Sequence, residues 1–159
     1  MSDPTAAHAE VTGVMTPINS RSEIDRVEAA VLAALDRFAY PEASRFAIRL
    51  ALEEGLVNAF LHGHRGLPPE EPVEVSFRVG PSSATISISD QGPGYNPGSV
   101  PDPTAEENIE LPSGRGLMLI RSFMSEVRHE KNGACLIMRY DRPPPDAARG
   151  GRRSRVDLV

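Results

Sequence analysis

ALEEGLVNAFLHGH, residues 51–64, reads as the end of a helix that is mostly apolar, yet Glu54, Asn58 and His62 stand four residues apart along it. At about 100° per residue these three form one narrow stripe. Leu52, Leu56, Val57, Phe60 and Leu61 surround it. A buried carboxylate without a partner costs several kcal/mol, so the stripe must meet water, a partner or a ligand. An asparagine oxygen can ligate Mg²⁺, a hard cation that keeps most of its waters. A glutamate one turn away can accept a proton from a hydroxyl. Taken alone, the stripe reads equally well as a solvated helix face.

Upstream, residues 10–15 (EVTGVM) suit an edge strand. SRSE at 20–23 has the form of a capping box and precedes Ile24, Val27, Val31, Leu35 and Phe38 at helical spacing. Pro41 suits a first helical turn and opens a second helix that runs to about His62, with Gly63 and Gly66 ending it. Downstream, VEVSFRV (73–79) and ATISISD (84–90) alternate with period two across the turn GPSS. Residues 91–113 form a long loop rich in Pro, Gly and acidic residues, and a short helix follows from Gly114. A loop of that length inside a compact domain is more often functional than idle. SEVRHE and ACLIMRY flank KNG, an Asn-Gly hairpin signal. This order predicts an α+β two-layer sandwich, with helices covering one face of a mixed, mostly antiparallel sheet.

Two further polar islands lie in these joints. DQGPG, Asp90 to Gly94, closes a strand. An ionised carboxylate only accepts hydrogen bonds, which suits the amino group of adenine and disfavours guanine. Gly92 and Gly94 permit positive φ and a close backbone approach to a flat ring. SGRGL, Ser113 to Leu117, opens a helix whose free N–H groups and dipole make an anion site, with Arg115 able to add a charged contact to a phosphate. Each island alone reads equally as a turn or a glycine-rich helix start. In order along one chain, they supply complementary parts of an ATP–Mg²⁺ site. The chain has no G-x-x-x-x-G-K-[ST] segment, so this is not a P-loop.

Those residues resemble the GHKL ATPases, the superfamily of gyrase, histidine kinases and mismatch-repair ATPases. EGLVNAFLHG (54–63) is similar to the N box, DQGPG to the G1 box and GRGL to the G2 box, with residues 95–113 as the ATP lid. The Arg in the G2 box and the compact length resemble the anti-sigma-factor serine/threonine kinases of bacterial partner-switching systems. The resemblance covers roughly residues 10–140 and implies a Bergerat fold with ATP and Mg²⁺ as cofactors. It implies that Asn58 binds Mg²⁺ and that Glu54, rather than the neighbouring Glu53, is the general base. It further implies that Asp90 reads adenine, that Gly92 and Gly94 line the adenine side, and that Gly114, Arg115, Gly116 and Leu117 hold the phosphates. His62 is similar to the family's His-Gly and has a structural role at the helix end; His64 and His129 have none assigned. The last strand departs from the family's Gly-Thr-Thr: it reads GACLI, so Ala134 and Cys135 replace residues of which one supplies an adenine-binding hydroxyl.

By the same resemblance the expected activity is phosphoryl transfer from ATP to a STAS-type anti-sigma-factor antagonist, with sequestration of a sigma factor as the alternative engagement. The competing reading is a nucleotide-binding module that regulates by contact and transfers nothing; an intact Glu54 argues against it and Ala134-Cys135 for it. A histidine-kinase fragment is disfavoured, because residues 22–38 carry no histidine. A homodimer through the first helix or the early strand is compatible with the resemblance.

The 159 residues, 40% hydrophobic and 25% charged, suit one domain over residues 1–140. The net charge of −5 argues against direct nucleic-acid binding. No apolar run approaches the ~20 residues that cross a bilayer, so no membrane role is expected. A single cysteine permits no internal disulfide and the N-terminus has no signal pattern, which point to the cytoplasm. One zinc-type ligand cluster cannot be assembled from one cysteine and scattered histidines. Residues 141–159 hold five Arg and three Asp, a balance of +2 that leaves −7 for residues 1–140, and their Pro/Gly/Arg-rich composition predicts a disordered tail.

Overall fold

The structure, a computed structural model, describes residues 9–63, 67, 68, 70–92 and 112–144, without side chains for His62, residues 112–115 and Asn132. Its elements run β1 (Val11–Met15), α1 (Arg21–Arg37), α2 (Glu42–Asn58), a π turn (Ala59–Gly63), β2 (Glu74–Val79), β3 (Ser83–Ser89), α3 (Pro112–Phe123), β4 (Glu126–Glu130) and β5 (Cys135–Asp141). The strands form one sheet in the order β1-β2-β3-β5-β4. All four described pairings are antiparallel. The three helices pack on one face, as α+β patterning requires.

The sheet's inner rows come from period two. Val75, Phe77 and Val79 of β2 and Ala84, Ile86 and Ile88 of β3 are buried, while the residues between them along each strand are not. They meet Val27, Val31 and Leu35 of α1 and Ile48, Leu52 and Leu56 of α2, all essentially inaccessible to solvent. Burying a side chain of this size contributes about 1.5–3 kcal/mol, so the two patterns, 2 and 3.6, drive the layers together.

The capping box at the start of α1 is half reciprocal. The Ser20 hydroxyl accepts the Glu23 N–H at 3.3 Å, but Glu23 reaches past Ser20 and accepts the Ile18 N–H at 2.8 Å. The Ser20 N–H is already donated to the Ile18 carbonyl, which explains the shift. The KNG segment is also different from a two-residue hairpin. Glu130 pairs with Cys135, leaving a four-residue connection with a 3₁₀ turn at Lys131–Gly133 and positive φ at Lys131 and Gly133.

Arg142 fastens the far end of the fold. Its guanidinium donates to the carbonyls of Phe38 and Ala39 at 2.7 and 2.9 Å and lies 4.9 Å from the centre of the Tyr40 ring. The Tyr40 hydroxyl donates to the Gly80 carbonyl at 2.8 Å. One side chain thus satisfies carbonyls where α1 ends in a left-handed Ala39, φ 52°. The folded part therefore extends through Arg142, two residues into the segment expected to be a tail, and residues 145–159 lie outside the described ones.

One buried charge lies between α1 and α2. Glu28 is 4% exposed, and its Oε1 has no hydrogen-bond partner. Oε2 lies 3.5 Å from Arg49 and 3.7 Å from Arg21, distances that do not offset full desolvation. Burial, followed by the nearby Glu53 carboxylate, raises the Glu28 pKa. A carboxyl whose folded pKa exceeds its unfolded value stabilises the fold while protonated; that contribution disappears as pH rises from the unfolded pKa through the folded one. Glu28→Gln should therefore raise the melting temperature at pH 8 and flatten its decline between pH 5 and 8. Melting curves followed by circular dichroism at both pH values test this, and a large drop at pH 8 would show that the Arg21 and Arg49 pairing outweighs burial.

Candidate nucleotide site

The site is built at the end of α2. Gly55 lets the helix sit close to the sheet: a Cβ there would lie 2.7 Å from Ile88 Cδ1 and 3.3 Å from Leu136 Cδ2. With that face turned to β3 and β5, Glu54, just before Gly55, and Asn58, one turn on, face α3. Gly116 of α3 meets both. A Cβ on Gly116 would stand 2.7 Å from Glu54 Oε2 and 3.5 Å from Asn58 Oδ1. The predicted proton acceptor, the predicted metal ligand and one predicted phosphate-loop glycine are thus one cluster.

Asn58 is 8% exposed, one of three buried polar residues among those described. Its oxygen is the hard donor a Mg²⁺ ion takes, and the missing side chain at Gly116 leaves the space beside it open. The residues present fit a nucleotide-bound Mg²⁺ held by one protein oxygen. Among the described residues no group of three His, Cys, Asp or Glu could hold a metal by itself. Burial, and secondarily the Glu53 carboxylate, raise the Glu54 pKa, which makes it a better proton acceptor when ionised. Glu53 itself faces α1, where Oε1 accepts from Arg21 at 3.0 Å. Adjacent glutamates therefore have separate surroundings, and only Glu54 lies in the cluster.

The second cluster closes around Asp90. At Ala59 the helix changes to π geometry, a wider winding that is common at functional sites. The four-residue line holds for Glu54 and Asn58 and is not continued in α geometry to His62. The π turn delivers Gly63 against Asp90: a Cβ on Gly63 would overlap the Asp90 carboxyl, and one on Gly92 would overlap the Gly63 carbonyl. Asp90 Oδ1 accepts the Gly92 N–H at 2.9 Å, and the Asp90 N–H donates to the Ala134 carbonyl at 2.9 Å. Gly92 is needed for this close approach rather than for positive φ, which it does not adopt. Gly63, expected only to end a helix, is a site residue that the sequence reading missed. Its signal was the His-Gly pair at the end of the first motif, whose partner in space, Gly92, is 29 residues away.

α3 begins at Pro112, two residues before Gly114, with Pro at a position where a missing N–H costs nothing. Gly114 and Arg115 lie in its first turns, and Leu117 is buried. The Arg115 side chain, His64, Gly94 and most of the expected lid, residues 93–111, lie outside what the structure describes. Ala134 stands across from Asp90, whereas Cys135 is turned to the opposite sheet face, where its sulfur is 3.3 Å from the Ser87 hydroxyl. Only Ala134 of the pair thus bears on the site.

Comparison with known families finds a match to the histidine kinase-like ATPase domain over residues 19–140. The chain belongs to that family, a branch of the GHKL superfamily. A two-layer Bergerat-type sandwich and an ATP-binding domain are its defining features. No curated protein matches the chain. No described helix is long and apolar enough to cross a membrane.

The contact of Gly92 with the Gly63 carbonyl gives a direct test. Gly92→Ala must displace backbone, a cost of about 1–3 kcal/mol, and should abolish stabilisation by adenine nucleotides. Gly116→Ala would crowd only the far end of the flexible Glu54 side chain, with the Asn58 amide at ordinary contact distance, and should retain most of that stabilisation. Thermal-shift titrations with ATP compare the two, and equal behaviour would mean the two glycines do not bound distinct parts of the site.

Proposed function

We propose that this ATPase domain is a serine/threonine protein kinase and anti-sigma factor of a bacterial partner-switching system, acting on a STAS-type antagonist and otherwise sequestering a sigma factor. The observation that carries the reading is the meeting of Glu54, Asn58 and Gly116 at the start of α3. A domain that only binds nucleotide has no need of a proton acceptor beside the metal ligand.

In this reading Asp90 and Gly92 receive the adenine, and the first turn of α3, with Arg115, receives the phosphates. Asn58 holds the Mg²⁺, which when bound offsets the phosphate charge. Glu54 accepts the proton of a serine or threonine hydroxyl. The hydroxyl oxygen bonds to the γ-phosphorus as the bond to the β–γ bridging oxygen breaks and ADP leaves. Positioning and charge stabilisation supply the rate.

A second reading is supported by Ala134. The residue facing Asp90 has no hydroxyl, so one expected adenine contact is missing and the domain could regulate by nucleotide-dependent contact alone.

Glu54→Gln separates the two readings. It should leave ATP binding intact and reduce transfer to an antagonist by about 10²–10⁴-fold, the usual contribution of a positioned base. In the unsubstituted protein, transfer should rise with pH as Glu54 ionises, with its acidic limb above the ordinary carboxylate range, since the folded pKa is raised. Transfer that persists unchanged in the variant would remove Glu54 from the chemistry.

Asn58→Ala should erase the Mg²⁺-dependent part of ATP stabilisation, which for a ligand at a hundredfold excess over Kd is ~2.7 kcal/mol in total. Thermal shifts with ATP, ADP and GTP, each with and without Mg²⁺, measure this. A Mg²⁺ effect that survives in the variant would place the metal elsewhere.

A further inference from the structure

Exposed apolar side chains gather on the helix layer. Among the described residues, four of the five exposed large hydrophobics lie on α2, its π turn and α3: Phe46 at 61%, Val57 at 37%, Leu61 at 57% and Met118 at 45%. Phe46, Leu50 and Val57 are four and seven residues apart, which sets them in one line along α2, and Leu61 follows in the π turn. That line is on the side of the helix opposite the buried Ile48, Leu52 and Gly55. Phe46 is held against Phe123 of α3, with ring centres 6.2 Å apart and planes at 82°. This edge-to-face contact fixes an aromatic ring where most of it meets solvent. Contiguous apolar surface of this kind marks a contact with another molecule.

The position of Glu54 says what covers this face. Helical spacing sets Glu54 between the outward line and α3, and the residue is half-buried. On the sheet side Gly55 is closed against Ile88, and on the α1 side Glu53 is tied to Arg21 at 3.0 Å. In the proposed reaction the nucleotide occupies the Asp90 corner and the start of α3. A hydroxyl on another protein therefore reaches Glu54 over the outer surface of α2 and α3. A specific protein contact covers about 800 Å² of each partner, a disc of about 16 Å radius. At about 1.5 Å of rise per residue, Phe46 lies ~12 Å before Glu54 along the helix and Val57 ~5 Å after it, so a contact centred on Glu54 covers both. We propose that the STAS-type antagonist, the protein that carries the acceptor hydroxyl, docks on this outer face with Phe46 as its anchor and with Val57 and Leu61 nearer the reacting group. The inference rests on Glu54 being the proton acceptor. It requires that the antagonist present an apolar surface about 12 Å from its acceptor serine or threonine. Aromatic rings that become fully covered carry much of the energy of a protein contact, and Phe123 already holds this one in place, which lowers the entropy lost on docking.

The probes are the purified STAS-domain proteins of the same genome, each mixed with the full chain, ATP and Mg²⁺. One of them should be phosphorylated, and Phe46→Ser should raise its KM by about tenfold or more while kcat and the thermal shift given by ATP stay unchanged. Because KM equals affinity only when transfer is slow, calorimetry in the Glu54→Gln background should show the same change in Kd. Phe46→Leu should restore most of the affinity. Met118→Ser gives a second reading if Phe46→Ser folds poorly, and Val14→Ser, an equally exposed position on β1, should change nothing. Transfer at unaltered KM and Kd in both Phe46→Ser and Met118→Ser would overturn the docking face and leave Glu54 as the base. Binding that Phe46→Ser weakens, with no phosphate transferred by the unsubstituted chain, would support the face and remove the kinase reading. Binding to none of the probes would overturn the docking face, and so would a change in the chain's own sedimentation on Phe46→Ser, which would assign the surface to a second copy.

Discussion

The close seat of α2 on the sheet is the constraint from which the site follows. Gly55 removes the atom that would collide with Ile88, and the helix settles against β3 and β5. The helix can then rotate little, because Leu52 and Leu56 are fully buried on the same side. Close-packed interiors transmit such constraints with little compliance. Glu54 and Asn58 have only one direction left, toward α3, and Gly116 accepts them there. The wider π turn that follows brings the Gly63 carbonyl against Gly92. Two glycine contacts in separate motifs therefore depend on one helix–sheet distance.

Electrostatics divides the acidic residues of the helix layer between structure and chemistry. Arg21 holds Glu53 and Asp25, at 3.0 and 2.8 Å, on the outer surface. Exposed pairs of this kind contribute little to stability, but the first fixes where Glu53 points. Its charge then acts on both flanks, raising Glu28 toward α1 and Glu54 toward α3 in concert with burial. The carboxyl at Glu28 has no chemistry beside it, whereas Glu54 lies beside Asn58 and the start of a helix. The same physical shift is a burden at one position and useful at the other.

Much of this was legible in the sequence. Periods of 2 and 3.6 identified five strands and three helices, and the i,i+4 spacing of Glu54 and Asn58 set them on one helix face. What the sequence could not reveal depends on contacts between distant segments. Glu23 chose the Ile18 N–H because the Ser20 N–H was already used, a local competition that the four-residue motif does not contain. Lys131 takes positive φ, so the KNG turn is longer than its Asn-Gly suggests. Gly63 looked like a helix stop because its second role needs Gly92 and Asp90, which only the folded sheet brings beside it. The π turn is invisible for the same reason: AFLHG is compatible with α winding, and tertiary contact decides the pitch.

Ala134 shows how a family site can lose a contact without losing its frame. Asp90 is held by main chain, with its N–H on the Ala134 carbonyl, and by Oδ1 on the Gly92 N–H. Neither bond uses the side chain at position 134. A threonine there would add a hydroxyl near the base, and alanine removes it while the strand pairing that orients Asp90 remains. The net value of one such hydrogen bond is about 0.5–1.5 kcal/mol, near a tenfold change in affinity. A loss of that size would weaken nucleotide binding without abolishing it if, as proposed, Asp90, Asn58 and the start of α3 make their own contacts. On the proposed reading, the alanine adjusts occupancy of the site and leaves its frame in place.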